Sequence, residues 1–117
     1  MTTILRTAIL LALGFAATAQ AGISTGNAAA GKAKATTVCA ACHGTDGNKT
    51  LDNTYPRLAG QYADYLAKAL HDYKSGKRKN PIMIGQAQGL SDEEIADVAA
   101  YFGSLPAQIH DLSGHGR

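Results

Sequence analysis

The sequence predicts a small all-α domain. Three segments, Ala28 to about Val38, Gln61 to Ser75 and Ser91 to Phe102, carry apolar residues at helical spacing, and no stretch alternates apolar and polar residues as a strand would. Long irregular stretches rich in turn residues separate the three. The chain also lacks bulky filler: it has no Trp and two Phe among 117 residues. A domain this short buries only a thin core, so the helices need an apolar centre beyond their own side chains.

The chain opens on a leader. Arg6 is followed by an apolar run, Thr7 to Thr18, and then by Ala19-Gln20-Ala21, an A-x-A cleavage pattern that puts the cut before Gly22. The run is short of the ~20 residues a spanning helix needs, which disfavours a retained anchor. The expected organisation is a cleaved secretory segment over 1–21, a domain over 22–106 and a loose tail over 107–117. The exported chain is then not an integral membrane protein, and in a bacterium it would reside in the periplasm.

After a loose lead, Asn27 is an N-cap for the first helix. That helix is rich in small residues, and Gly31, Ala35 and Val38 share one face. Glycine inside a helix costs about 1 kcal/mol against Ala, so Gly31 suggests a close helix–helix contact. The helix leads directly into Cys39-Ala40-Ala41-Cys42-His43.

C-x-x-C-H is the attachment signature of c-type haem. Two thiols on a short spacer can each add to a vinyl group of one porphyrin, and the adjacent imidazole can bind iron from the proximal side. Other uses of two cysteines fit less well. Zinc wants four ligands, and the chain has only two Cys and no H-x-x-x-H. A thioredoxin-like dithiol belongs in a βαβ pattern, and a plain disulfide leaves His43 without a role. Export agrees with haem attachment.

Gly44 to Gly60 reads as a long loop, which suits a chain wrapping a cofactor. In the second helix Tyr62, Tyr65, Leu66, Ala69 and Tyr73 form an apolar stripe, ended by Gly76. Lys74, Lys77, Arg78 and Lys79 cluster at its carboxyl end, where positive charge suits the helix dipole. A docking patch for an acidic redox partner is the alternative use. Asn80 to Ile84 reads as a stiff apolar loop carrying Met83, followed by a further loop over Gly85 to Gly89. The last helix has the clearest boundaries. Ser91 and Glu94 form a capping box, and Leu90 and Ile95 a hydrophobic staple. Ile95, Val98, Ala99 and Phe102 make its buried stripe, with Tyr101 at the edge, and Gly103 and Pro106 end it.

A haem iron bound by His43 has a sixth position. Met83, His71, His110, His115 or no protein group could fill it. His71 lies opposite the apolar stripe of its helix, and His110 and His115 lie in the tail. Met83 is the only thioether left after Met1 departs with the leader, and its setting favours ligation over core filling. A His/Met pair raises the iron potential relative to two nitrogen donors and leaves no site for oxygen or peroxide. The formal charge of +2 falls by one when Arg6 is removed, so no strongly basic face for nucleic acid is expected.

Five segments extend the motif into a resemblance: A-A-G-K-A-K at 29–34, C-A-A-C-H-G at 39–44, Y-P-R-L-A-G-Q at 55–61, N-P-I-M at 80–83 and L-S-D-E-E-I-A-D-V-A-A-Y-F at 90–102. Over Asn27 to Leu105 the chain resembles class I cytochromes c, in particular the small bacterial group of tandem dihaem cytochromes and their single-haem relatives. The resemblance implies three main helices and long loops around one covalently bound haem c. It implies that the first and last helices cross with Gly31 near Tyr101, that the Pro56 carbonyl accepts the Nδ1 hydrogen of His43, and that Met83 is the distal ligand. It brings Arg57 and the tyrosines of the middle helix towards the haem or its propionates. Two departures stand out: Ala35 occupies a position where many relatives have an aromatic, and one C-x-x-C-H is present where the dihaem relatives have two.

The expected function is a soluble, exported carrier of single electrons between larger redox proteins, a monomer or weak dimer, and not an enzyme. The rival classes are a permanently docked subunit of a dehydrogenase or oxidase, a peroxidase or gas sensor with a labile Met83, and a haem-free dithiol protein.

Overall fold

The computed structural model describes residues 25–108. The expected leader over 1–21 and the tail beyond Gln108, with His110 and His115, lie outside the described residues. The described part is helical and has no strand.

Asn27 caps α1 (Ala28–Lys34): its Oδ1 accepts from the backbone N–H groups of Ala29 and Ala30 at 2.9 and 3.2 Å. The helix does not stop before the cysteines. It widens into a π-helical turn over Ala35–Cys39 and continues as α2 (Ala40–His43), so the haem motif stands on a helix. The hydroxyls of Thr36 and Thr37 bond back to the carbonyls of Lys32, Ala33 and Lys34, a local competition that bends and loosens helices. Gly44 ends the run at φ 80 and ψ 151, a conformation open to glycine.

The loop after Gly44 has no regular structure before Ala63, yet its polar groups are paired. Asp46 Oδ1 accepts from the N–H groups of Asn48 and Lys49, both at 2.9 Å. Leu51 N–H donates to the Cys42 carbonyl at 2.9 Å. Asn48 is buried; it donates to the carbonyls of Asp46 and Pro106 and accepts from Gln108 N–H. The loop is thereby tied to α2 at one end and to the chain after the last helix at the other.

The middle helix, α3, spans Ala63–Lys74 with Tyr62 as its N-cap residue. Tyr62, expected in the apolar stripe, is 79% exposed, because it precedes the first helical turn. The segment expected to be loop over Asn80 to Gly89 is a helix, α4 (Pro81–Gln88). Pro81 begins it, where a missing N–H costs nothing, and Asn80 Oδ1 accepts from Met83 N–H at 3.1 Å. The last helix, α5 (Asp92–Ser104), has both halves of the capping box and buries Ile95, Val98, Ala99, Tyr101 and Phe102. It continues through Gly103 and stops at Leu105.

Two seams hold the helices together. At the first, α1 meets α5 backbone to backbone: a Cβ on Gly31 would lie 1.9 Å from the Asp97 carbonyl oxygen. The approach is centred on Asp97 and Val98, one turn before Tyr101, whose hydroxyl donates to the Thr45 carbonyl at 3.1 Å. Asn27 N–H donates to Asp97 Oδ1 at 2.6 Å and Lys34 pairs with Glu94 at 2.6 Å. At the second seam, Lys74 at the end of α3 donates to the Leu90 carbonyl at 2.7 Å and to Asp92 Oδ1 at 3.0 Å. That clamp brackets α4. Ala35, Leu66, Val98, Ala99, Tyr101 and Phe102 form the buried core.

Candidate functional site

The remaining interior is a cavity of about 530 Å³ between α2, α3, α4 and the long loop. Cys39, Cys42, His43, Pro56, Arg57 and Met83, read from the sequence as one site, all line it. The rest of its wall is mostly apolar, with Leu58, Leu66, Leu70, Ile82, Val98 and Phe102 contributing. A shallower groove between α1 and α5 is lined by Ala30, Ala33, Lys34, Thr37, Glu94 and Asp97 and brings no sulfur or imidazole.

Helix continuation places the motif. With one π turn before it, Cys39 and Cys42 reach the same cavity as His43, from successive turns of one helical segment. The two thiols are half-buried and not joined to each other. Burial pushes the Cys39 thiol above its ordinary value, and the Lys34 ammonium opposes that shift.

His43 is buried. Its Nδ1 lies 2.9 Å from the Pro56 carbonyl oxygen. A carbonyl accepts only, so the Nδ1 carries the proton and donates, and Nε2 is left with a free lone pair. Tyr55 packs edge-on against the imidazole, ring centroids 6.2 Å apart at 79°. The ring is therefore fixed in tautomer by one loop residue and in tilt by its neighbour.

Met83 enters the cavity from α4, half-buried. A helix fixes its backbone more firmly than the expected loop would, because the Asn80 cap holds the Met83 N–H itself. Arg57 lies on the loop wall and its Nη1 donates to the Gln108 carbonyl at 3.3 Å. His71, the other described histidine, is exposed beside Asp92, 3.9 Å from Oδ1. It does not line the cavity.

Tyr65 and Tyr73 also line the cavity, as the resemblance implies for the middle-helix tyrosines, and Arg78 joins them. Arg78 was hidden in a basic cluster whose charge suits the helix end; its sequence neighbours Lys77 and Lys79 are not cavity residues. Among the described residues no three His, Cys, Asp or Glu side chains come together as a metal cluster. The donor set is instead two thiols, one imidazole with a free Nε2 and one thioether around an apolar hollow, which fits a flat macrocycle with an iron centre.

An all-α domain with C-x-x-C-H on the wall of such a cavity is the architecture of a covalent haem c domain. The chain belongs to the cytochrome c family, whose model matches residues 28–106. It is 51% identical over 101 residues to cytochrome c4 of Pseudomonas aeruginosa, a match covering 86% of this chain and 48% of that protein. It is 52% identical over 82 residues to cytochrome c-554(548) of Halomonas halodenitrificans, covering 68% of this chain and 96% of that one. The crystal structure of reduced recombinant cytochrome c4 from Pseudomonas stutzeri superposes with a TM-score of 0.64 at 43% identity, over 69% of this chain and 46% of that chain. The fold is thus the class I cytochrome c fold, and the chain spans about half the length of the cytochrome c4 relatives it matches.

Proposed function

We propose that this chain is an exported carrier of single electrons between larger redox proteins, holding one haem c. Cys39 and Cys42 would hold the group through their two sulfurs, and His43 Nε2 and Met83 Sδ would bind its iron. When bound, the haem supplies a one-electron iron couple whose potential a thioether donor raises. The observation that carries the reading is the convergence of a helical C-x-x-C-H and the α4 thioether on one apolar cavity.

The chain's own residues do the rest. The Pro56 carbonyl keeps the proton on Nδ1 and so keeps Nε2 available. Asn80 and the Lys74 clamp hold α4 at its start and at its flank. Leu58, Leu66, Val98 and Phe102 keep water from the centre, which lowers the local dielectric around any charge held there. With His43 and Met83 both given to the iron, no position would remain for a small substrate, and the chemistry would be that of an electron carrier.

Export follows from the leader over 1–21, cut before Gly22, with 22–106 as the haem domain and 107–117 as a tail. Location in a bacterial periplasm fits that leader, and no helix among the described residues is long and apolar enough to cross a membrane. The partners are redox proteins that meet an exposed haem edge through a small, short-lived interface, and the chain works as a monomer or a weak dimer.

Met83→Ala tests this reading. The variant should keep covalent haem, show a lower potential than the parent and bind carbon monoxide when reduced. An unchanged potential with no carbon monoxide binding would refute the axial assignment. Co-purification with a dehydrogenase at high salt would replace a free carrier with a docked subunit.

A further inference from the structure

Arg78 is one of two cavity-wall cations, with Arg57, that the proposed function leaves unused. It follows the turn that ends α3, and its backbone N–H donates to the Asp72 carbonyl at 2.9 Å. Its side chain turns back along α3. The guanidinium carbon sits 5.1 Å from the centre of the Tyr73 ring, and Nη1 donates to the Tyr65 hydroxyl at 3.4 Å. All three residues line the cavity. Among the described residues no carboxylate comes within 4.0 Å of this guanidinium, whereas Lys34, Lys68 and Lys74 each have one. A ring face and a hydroxyl therefore pre-orient a planar cation whose remaining donors have no anion.

We propose that Arg78 pairs with a carboxylate of the haem, as a binding residue of the same site. The inference rests on the haem reading above. Haem carries two propionates on the edge away from its thioether bonds, and each is a planar acceptor that a guanidinium matches with two parallel hydrogen bonds. The cavity wall holds two guanidinium groups, Arg57 and Arg78. Arg57 lies beside Pro56 on the loop and donates to a backbone carbonyl. Arg78 lies between α3 and α4, beside Asn80, and is held by two aromatic side chains. The nearby charges are Asp72 on α3 and the ammonium groups of Lys77 and Lys79 on the same turn; the cavity-lining residues of α4, Ile82, Met83 and Gln86, carry none.

A cation fixed at that edge favours Fe(II), so its removal favours Fe(III). The test is an equilibrium redox titration at pH 8 of haem-loaded wild type, Arg78→Gln, Arg78→Lys, Tyr65→Phe and Lys77→Gln. Arg78→Gln should shift the Fe(III)/Fe(II) ratio about tenfold towards Fe(III), which is ~59 mV for one electron. Arg78→Lys should recover most of that shift because the charge is kept. Tyr65→Phe should move the ratio in the same direction by less, and Lys77→Gln by less than twofold. Arg78→Gln within twofold of wild type, an equal loss in Arg78→Lys, or an equal shift in Lys77→Gln would each overturn the assignment. Arg78 is exposed and outside the buried core, so these variants should keep the parent's helix content. The two readings fail separately. Wild-type protein without covalent haem defeats the function above, while haem-loaded Arg78→Gln at the parent potential defeats Arg78 alone.

Discussion

The α1–α5 seam and the cavity wall of α3 and α4 are built on opposite plans. The first closes on the chain itself: Gly31 lets two backbones meet, and Ile95, Val98, Ala99 and Phe102 are all but fully buried. The second keeps large apolar side chains near solvent. Tyr65 is 48% exposed, Ile82 57% and Val38 38%, and all three line the cavity. Exposed apolar area gathered in a concave site marks a place for another body. The contrast teaches that half of this domain is a scaffold and the other half is completed by its cofactor. It also explains how a chain with so few bulky residues folds.

The sharpest break in that contrast would come from the scaffold. Gly31→Val puts a branched side chain where a single Cβ already overlaps the Asp97 carbonyl, and backbone on both sides cannot yield. The loss should exceed the ~1–3 kcal/mol of ordinary overpacking and leave little folded protein by circular dichroism. A variant that melts like the parent would mean the helices do not cross there. Next in size is removal of the thioether attachment. Cys39→Ser with Cys42→Ser, purified without haem, should lose hydrogen-exchange protection in α3 and α4 first, while α1 and α5 keep the most. Equal loss everywhere would erase the distinction between the two halves.

A smaller effect tests how α4 presents Met83. Asn80→Ala removes the side chain that caps the helix at the Met83 N–H. About 1 kcal/mol of stability should go, seen in a chemical denaturation curve, together with partial carbon monoxide binding by the reduced protein. Smallest is the response to acid. Lys34, with the Ser91 N–H, holds the Glu94 carboxyl below its ordinary value, and Lys74 does the same for Asp92. A carboxylate depressed on folding stabilises above its unfolded value and loses that contribution as pH falls through the folded one. The melting temperature should therefore be level through neutral pH and fall below about pH 4, with a shallower fall in Glu94→Gln. Asp92 is exposed and Glu94 is half-buried but reaches solvent, so both pairs are screened and the change is small.

The two halves also differ in how far the sequence reveals them. The start of α1 and all of α5 up to Phe102 are legible because Asn27, Ser91 and Glu94 act on neighbours within one turn. The haem motif is legible because its spacing is set by covalent chemistry. Its setting is not: Thr36, Thr37 and Val38 look like a helix end, whereas the backbone widens into a π turn there, with both hydroxyls bonded back, and carries the helix onward to His43. Around Met83 the Asn80-Pro81 pair is a valid cap followed by an N1 proline, but Gly85 and the shortness of α4 make it read as loop. Arg78 was obscured for another reason. A cation after a helix suits the dipole whichever way it points, and only the ring of Tyr73 beneath it gives its direction.

The account depends most on a haem joined to Cys39 and Cys42 in the cavity. Intact-mass spectrometry of the chain, made in a host that attaches haem c and unfolded before thiol labelling, tests this directly. The expected result is the added mass of one haem and no thiol that reacts. A haem-free mass with two reactive thiols would contradict it.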